Sequence, residues 1–212
     1  MNVHEKMKAF DAFQFFGQFT FNRFFKQDKA NRFNDQYKAV IAPQGRDGGS
    51  SRYRFDAFWG SRPYDMGVVS RDIDGNLVTP TCVTLSESGA SLRYLQLDNG
   101  SVDVRLYPAR TDTDRADSVQ FIRLGLYKNP RMLLNSTILR KHWNAMYTVM
   151  ENTSILGSPS LVSQAKMFWL LHGKVYYKDG SLRAPRDLVY LKKVLNYVST
   201  IVFCAMTLKV VL

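Results

Sequence analysis

Residues 92–107 constrain the fold more than any other part of the sequence. Two alternating segments flank Asn99-Gly100, a dipeptide that suits the two φ > 0 positions of a type I′ hairpin turn. A two-residue loop there predicts that Leu95 lies opposite Val104, with Val104 buried and Arg105 on the opposite face. The predicted hairpin is half-buried, and one face carries Leu95, Leu97, Val102, Val104 and Leu106.

Further strand patterns lie on both sides of this hairpin. Residues 37–42, 53–59 and 119–127 alternate or are apolar, and residues 66–73 and 76–85 flank a second turn signal, Asp74-Gly75. Because proline cannot donate to a ladder, Pro80 predicts an edge strand or a bulge in the second arm. The sequence therefore predicts an antiparallel β-meander, or a barrel-like sheet, of about six to eight strands.

The first helix-or-strand ambiguity lies in residues 10–25, which contain eight phenylalanines. On a helical wheel these phenylalanines fall on all sides, whereas a period of two places Phe13, Phe15, Phe19 and Phe21 on one face. We therefore predict a strand here, and an amphipathic helix that packs its aromatic side chains on the sheet is the alternative. Residues 26–36 are polar and predict a turn or loop.

Helical periodicity begins after Asn129-Pro130. One helix is predicted around Leu139 and Trp143, with Asn135 or Ser136 as its cap. A second is predicted to begin at Ser160 and to stop at Gly173. Its expected packing side carries Leu161, Ala165, Phe168 and Leu171.

The last segment, residues 187–212, reads as one long helix whose second half has few polar groups. Residues 194–212 approach the ~20 residues that span a bilayer, although a core helix or a strand pair fits the same composition. The predicted fold class is thus α+β, with an antiparallel β domain over residues 1–128. A helical, basic and apolar region over residues 129–212 would pack on the sheet or contact a membrane.

Charge is distributed unevenly along the chain. The net charge is +11, and residues 128–212 hold 12 of the Lys and Arg residues against 3 Asp and Glu. A basic block beside a slightly acidic middle indicates phosphate-bearing partners, either nucleic acid or anionic lipid. The alternative is a solvated basic surface that has no specific partner.

No catalytic or metal-binding motif is recognisable. His4, His142 and His172 lie far apart and lack nearby acidic or cysteine ligands, so we expect no cofactor and no metal. The lack of a recognisable catalytic motif favours a protein that is not an enzyme. The two cysteines, Cys82 and Cys204, and the lack of a charged, then apolar N-terminal signal favour an intracellular setting, with possible membrane association.

The resulting functional hypothesis is a ligand- or partner-binding β domain coupled to a basic, apolar C-terminal region that engages a membrane surface. Such a protein would act as a sensor-effector or would resemble a toxin. Its β domain could hold a small ligand. A nucleic-acid-associated binding protein and a virion or assembly protein are the alternatives. The candidate phosphate or lipid contacts are Arg46, Arg52, Lys166, Trp169, Lys174, Tyr177, Lys178, Arg183, Arg186, Lys192 and Lys193.

Overall fold

The protein combines an antiparallel sheet with helices on one of its faces. The computed structural model describes residues 1–46, 52–71, 77–113, 119–178 and 181–183. The strands in these residues are β1 (Ala39–Ala42), β2 (Arg54–Trp59), β3 (Ser61–Arg71), β4 (Leu77–Ser88), β5 (Ser91–Gln96), β6 (Val102–Tyr107), β7 (Arg110–Thr111), β8 (Phe121–Tyr127), β9 (Val175–Lys178) and β10 (Ser181–Arg183). The helices are α1 (Val3–Phe25), α2 (Asp28–Asn34), a 3-10 helix (Pro130–Leu134), α3 (Ser136–Thr153) and α4 (Leu161–Gly173).

The strands belong to two sheets. The main sheet has seven strands in the order β1-β2-β5-β6-β8-β9-β10, and β3, β4 and β7 form a second sheet. This confirms the α+β class and the antiparallel sheet. The barrel-like prediction is wrong, because β1 and β10 lie at opposite edges of an open main sheet.

The order of helices and strands also differs from the prediction. Helices α1 and α2 precede the sheet, so the helices do not all follow it. Strands β9 and β10 come from the region predicted to be helical, and β9 pairs with β8. The division of the chain at residues 128 and 129 stays a prediction.

Residues 10–25 form the larger, C-terminal part of α1, so the predicted strand is wrong and the alternative helix is right. Phe10, Phe13 and Phe21 are fully buried at helical spacing, whereas Phe15 and Phe19 point outward and are exposed. The helix begins with a capping box, in which the Glu5 amide donates to the side chain of Asn2 over 2.9 Å. That local signal favours a helix and was not used in the sequence prediction.

Residues 26–36, predicted as a turn or loop, contain the short helix α2. Its Ala30 and Phe33 are fully buried, and the Phe33 ring lies 5.4 Å from the ring of Trp59. Two apolar side chains three residues apart are too few to show a helical period in the sequence. Packing against the sheet therefore stabilises this helix more than its own sequence does.

The hairpin of β5 and β6 pairs antiparallel as predicted, with Val104 buried and Arg105 on the opposite face. Its turn is different. Gly100 N donates to Leu97 O over 2.7 Å, and Leu97 N donates to Ser101 O over 2.8 Å, so three residues close the loop. Gly100 has a φ of +72°, as expected for the left-handed third position of such a loop.

The extra loop residue shifts the register by one. Tyr94, and not Leu95, lies opposite Val104. Because side chains alternate with a period of two, the slip reverses every side chain of β5 relative to the prediction. Tyr94 is therefore fully buried against the helices, and Leu95 lies on the other face with Arg93.

The β3–β4 ribbon contains the second predicted hairpin. Its strands pair from Ser61 with Ser88 to Arg71 with Leu77, and the turn at residues 72–76 lies outside the described residues. The ladder has a register shift between Val69 and Arg71, in the part that contains Pro80. This irregularity agrees with the bulge predicted there, because proline cannot donate to the ladder.

The C-terminal helices agree with the prediction in position. Asn135 caps α3 by accepting from Thr137 N over 2.8 Å, and Ser160 caps α4. The predicted packing side of α4 is largely wrong, because Leu161 and Phe168 are exposed. Leu171 of the predicted side does pack against the core, together with Met167 and Leu170, which were not predicted to do so. The predicted long helix over residues 187–212 lies outside the described residues.

Replacing Gly100 with valine should destabilise the protein. A Cβ atom at Gly100 would lie 2.8 Å from Cβ of Lys6, and the φ of +72° disfavours a β-branched residue. The left-handed conformation costs ~1–2 kcal/mol, equivalent to roughly 2–8 °C in melting temperature. Gly173→Val is the matched control, since a Cβ there meets nothing within 4 Å. Equal melting temperatures for the two variants would contradict the turn geometry.

Candidate functional site

Helix α4 is held against α3 by a small polar network. The Ser163 hydroxyl donates to Glu151 Oε2 over 2.7 Å and accepts from Asn152 Nδ2 over 2.9 Å. Ser160 Oγ accepts from Ser163 N over 3.2 Å and so fixes the start of the helix. These contacts determine which side of α4 faces the protein.

The side of α4 that faces away from the protein is apolar. Leu161 is 83% exposed, Val162 63%, Phe168 53% and Trp169 68%. Four large apolar side chains on one 13-residue helix form a contiguous exposed patch, which we call the α4 patch. Such patches on soluble domains mark contact sites for a partner or a lipid interface.

A groove of about 450 Å³ lies between α3 and α4, beside the α4 patch. Lys141 of α3, Lys166 of α4 and Lys174 at the start of β9 contribute its cations, and Ala145 and Leu170 contribute apolar surface. Trp169 also lines it. None of the described residues that line this lysine groove is acidic. Its chemistry therefore suits a ligand with an anionic group and an apolar part.

A further lysine lies beside the groove. Lys29 Nζ donates to Asn144 Oδ1 over 3.0 Å, and Asn144 lines the lysine groove. Burial lowers the pKa of Lys29, the positive charges of Arg140 and Lys166 lower it further, and the negative charge of Glu151 opposes them. Because these cations repel each other, an anion bound among them would stabilise all of them.

Next to the groove lies a buried chain of three side chains. His142 Nδ1 lies 2.9 Å from the Tyr94 hydroxyl, and His142 Nε2 lies 2.9 Å from the Tyr127 hydroxyl. Burial, followed by the charge of Lys174, lowers the pKa of His142 to about 4. Burial raises the pKa of both tyrosines. A neutral imidazole donates to one hydroxyl and accepts from the other, so the chain is closed and has a structural role.

The predicted contact residues fall into separate groups. Lys166, Trp169 and Lys174 meet at the lysine groove. Tyr177 and Lys178 lie on β9 and Arg183 on β10, where the Tyr177 ring stacks on Phe121 at 5.1 Å. Arg186, Lys192 and Lys193 lie outside the described residues.

The two arginines of the glycine-rich stretch do not reach the groove. The Arg46 guanidinium lies 4.3 Å from the ring of Phe58, and Arg52 Nη2 lies 4.0 Å from Asp11 Oδ2. The sequence analysis did not select Lys29 or Lys141, since only the packing of α2, α3 and α4 brings them to the groove. Their exposure on helices could have suggested a surface role but not a shared site.

The described ranges offer neither a metal site nor a membrane-spanning helix. No group of three or more His, Cys, Asp or Glu side chains in them could hold a metal ion. In the same part of the chain, no helix has both the length and the apolar character needed to cross a bilayer. Cys82 is free and exposed on β4.

Comparisons of the chain with protein-family models, curated proteins and solved structures found no match. The geometry and charge of the described residues are therefore the basis of the functional proposal.

The buried His142 should make stability depend on pH. Its pKa falls from 6.5 to about 4 on folding, so the unfolded chain binds a proton in this range and the folded protein does not. The stability is fully present above pH 6.5 and is lost as pH falls towards 4, by up to ~3 kcal/mol for this group.

The measurement is urea unfolding of wild type and His142→Gln from pH 7 to 4. Glutamine keeps a donor and an acceptor but does not titrate, so the difference in unfolding free energy between the two proteins should shrink as pH falls. A difference that stays constant would show that His142 titrates normally.

Proposed function

We propose that this protein is a non-enzymatic binding protein that engages an anionic membrane surface through the α4 patch and the lysine groove. The β domain is the scaffold, and it is coupled to this surface through α3 and β9. In this proposal the protein acts as a peripheral sensor or effector. The observation that carries the proposal is the solvent exposure of the large apolar side chains on α4 beside three lysines.

The exposed apolar residues supply the first part of the argument. Helix α4 packs Met167 and Leu170 against the core and still presents Leu161, Phe168 and Trp169 to water. A helix that is apolar on both sides is normally buried, so its outward side calls for a second apolar environment. The acyl boundary of a bilayer accepts such a side without requiring a protein partner of matching shape.

Charge supplies the second part. The lysines around the α4 patch can contact lipid phosphates while its aromatic side chains enter the interface, which is how interfacial helices arrange the two groups. Each lysine near an anionic surface contributes about 1 kcal/mol of attraction. Phe15 and Phe19 on the outward side of α1 are also exposed, with ring centroids 4.9 Å apart.

Membrane binding should depend on the α4 patch. The variant Leu161→Ala/Trp169→Ala should bind vesicles of phosphatidylserine and phosphatidylcholine at least ~10-fold more weakly, because each buried large apolar side chain contributes about 1.5–3 kcal/mol. Vesicle co-sedimentation measures the partition. The matched control is Met66→Ala/Val68→Ala, which removes two equally exposed apolar side chains from the β3–β4 ribbon and should not change binding. Equal losses in both variants, or no binding by wild type, would refute the proposal.

The lysine groove should contribute electrostatically. Replacing Lys141 and Lys166 with glutamine should weaken binding to anionic vesicles by roughly 2 kcal/mol at low salt and much less at high salt. Binding to pure phosphatidylcholine vesicles should change little. A loss that is the same for both lipids would show that these lysines act through folding and not through charge.

Deleting residues 194–212 tests whether this segment inserts into the membrane or belongs to the core. If this segment inserts into the membrane, deleting it should release the protein from the membrane fraction and improve its solubility. If it belongs to the core, the truncated chain should aggregate because apolar faces become exposed. Fractionation of full-length and truncated chains distinguishes the two outcomes.

A further inference from the structure

Three arginines lie side by side on the face of the main sheet opposite the helices, which we call the outer face. Arg93 of β5 is directly opposite Arg105 of β6, and Arg105 is directly opposite Arg123 of β8. Like charges in directly opposed positions destabilise a sheet. This arginine row therefore needs carboxylates beside it.

Two buried aspartates reduce the repulsion between these like charges. Asp103 is fully buried, and its carboxylate lies 2.8 Å from Nε of Arg105 and 2.8 Å from Nε of Arg123. Asp56 accepts from Arg93 Nε over 3.2 Å and lies 2.8 Å from Arg54 Nη2. Arg93 and Arg105 thus contact their aspartates through Nε, and no other carboxylate of the described residues accepts from their Nη groups.

Aromatic rings lie against the guanidinium groups of Arg93 and Arg105. Arg93 lies 4.9 Å from the ring of Tyr107, and Arg105 lies 4.8 Å from the ring of Phe121. The side chains of the arginine row remain 25%, 26% and 27% exposed. Stacking and the Nε contacts fix their orientation, which lowers the entropy lost when the Nη groups bind an anion.

The outer face also has an excess of positive charge. At its paired positions the main sheet carries four arginines, Arg54 and the arginine row, and two aspartates, Asp56 and Asp103. The row crosses three strands, or ~10 Å at the usual strand spacing, so it is longer than one phosphate group. A ligand that complements it is an extended polyanion.

We propose that the outer face binds single-stranded nucleic acid, with successive phosphates contacting the Nη groups of Arg93 and Arg105. Open sheet faces with arginine and aromatic side chains suit single strands, whose bases can stack on guanidinium planes. A lipid surface fits less well, because the Phe58 and Phe121 rings are only 7% exposed and cannot enter a bilayer. This site is separate from the lysine groove and goes beyond the proposed membrane function.

The test is fluorescence anisotropy of a labelled single-stranded oligouridine with the full chain. The salt concentration is varied from ~50 to ~200 mM, the range over which phosphate contacts lose much of their affinity. The variant is Arg93→Gln/Arg105→Gln, which leaves Asp56 paired with Arg54 and Asp103 paired with Arg123. We expect on the order of tenfold weaker binding and a salt slope smaller by about 1.4, or ~0.7 for each lost phosphate contact.

The control is Lys141→Gln/Lys166→Gln, which removes the same charge from the lysine groove. It should keep oligouridine binding and weaken binding to anionic vesicles, whereas the arginine variant should weaken oligouridine binding and keep vesicle binding. A second variant, Arg105→Lys, keeps the charge but not the planar stacked group, and we expect it to weaken binding with an unchanged melting temperature. The proposal is overturned if wild type does not bind oligouridine, if the arginine variant binds as wild type does, or if only the groove variant loses binding.

Discussion

The packing of α1 on the main sheet is the interaction on which the rest of the structure depends. The Phe13 ring lies 4.8 Å from Tyr94 and 5.1 Å from Phe55, so one helix covers two neighbouring strands. At the other end of α1, the Phe25 ring lies 4.9 Å from Trp143, which joins α1 to α3. This aromatic layer fills the contact between α1 and the sheet face on which the helices pack, whereas the outer face and the outward sides of α1 and α4 stay partly exposed.

Local signals predicted much of this fold, and contacts distant in sequence explain the errors. The turn at Gly100 and the caps at Asn135 and Ser160 act within a few residues and are readable in the sequence. The register of β5 is not, because one extra loop residue changes which side of the strand is buried. The phenylalanines of residues 10–25 fall on all sides of a helix, and only the sheet beneath α1 determines which rings are covered.

The lysine groove and the arginine row also differ in how far each could be predicted from the sequence. Lys166, Trp169 and Lys174 are close in sequence, so a basic and aromatic segment could be selected before the fold was known. The arginine row comes from strands separated by loops, and its members become neighbours only through the correct register of β5, β6 and β8. One surface combines cations with exposed apolar groups, and the other combines cations with aromatic rings that are already covered. This difference is the reason why we propose different anionic partners for the two surfaces.

The β3–β4 ribbon has a consequence for the cooperativity of the molecule. Over most of its length the ribbon is a two-stranded ladder, and β7 extends it only at Glu87 and Ser88. A two-stranded ribbon has little stability of its own, so its outer hydrogen bonds can open while the main sheet stays intact. At its base, however, the buried Glu87 accepts from Arg62 Nη2 over 2.9 Å and from Ile155 N over 2.8 Å, which ties the ribbon to the end of α3. We therefore expect the outer part of the ribbon to open more readily than the main sheet, whereas Glu87 links its base to the rest of the protein.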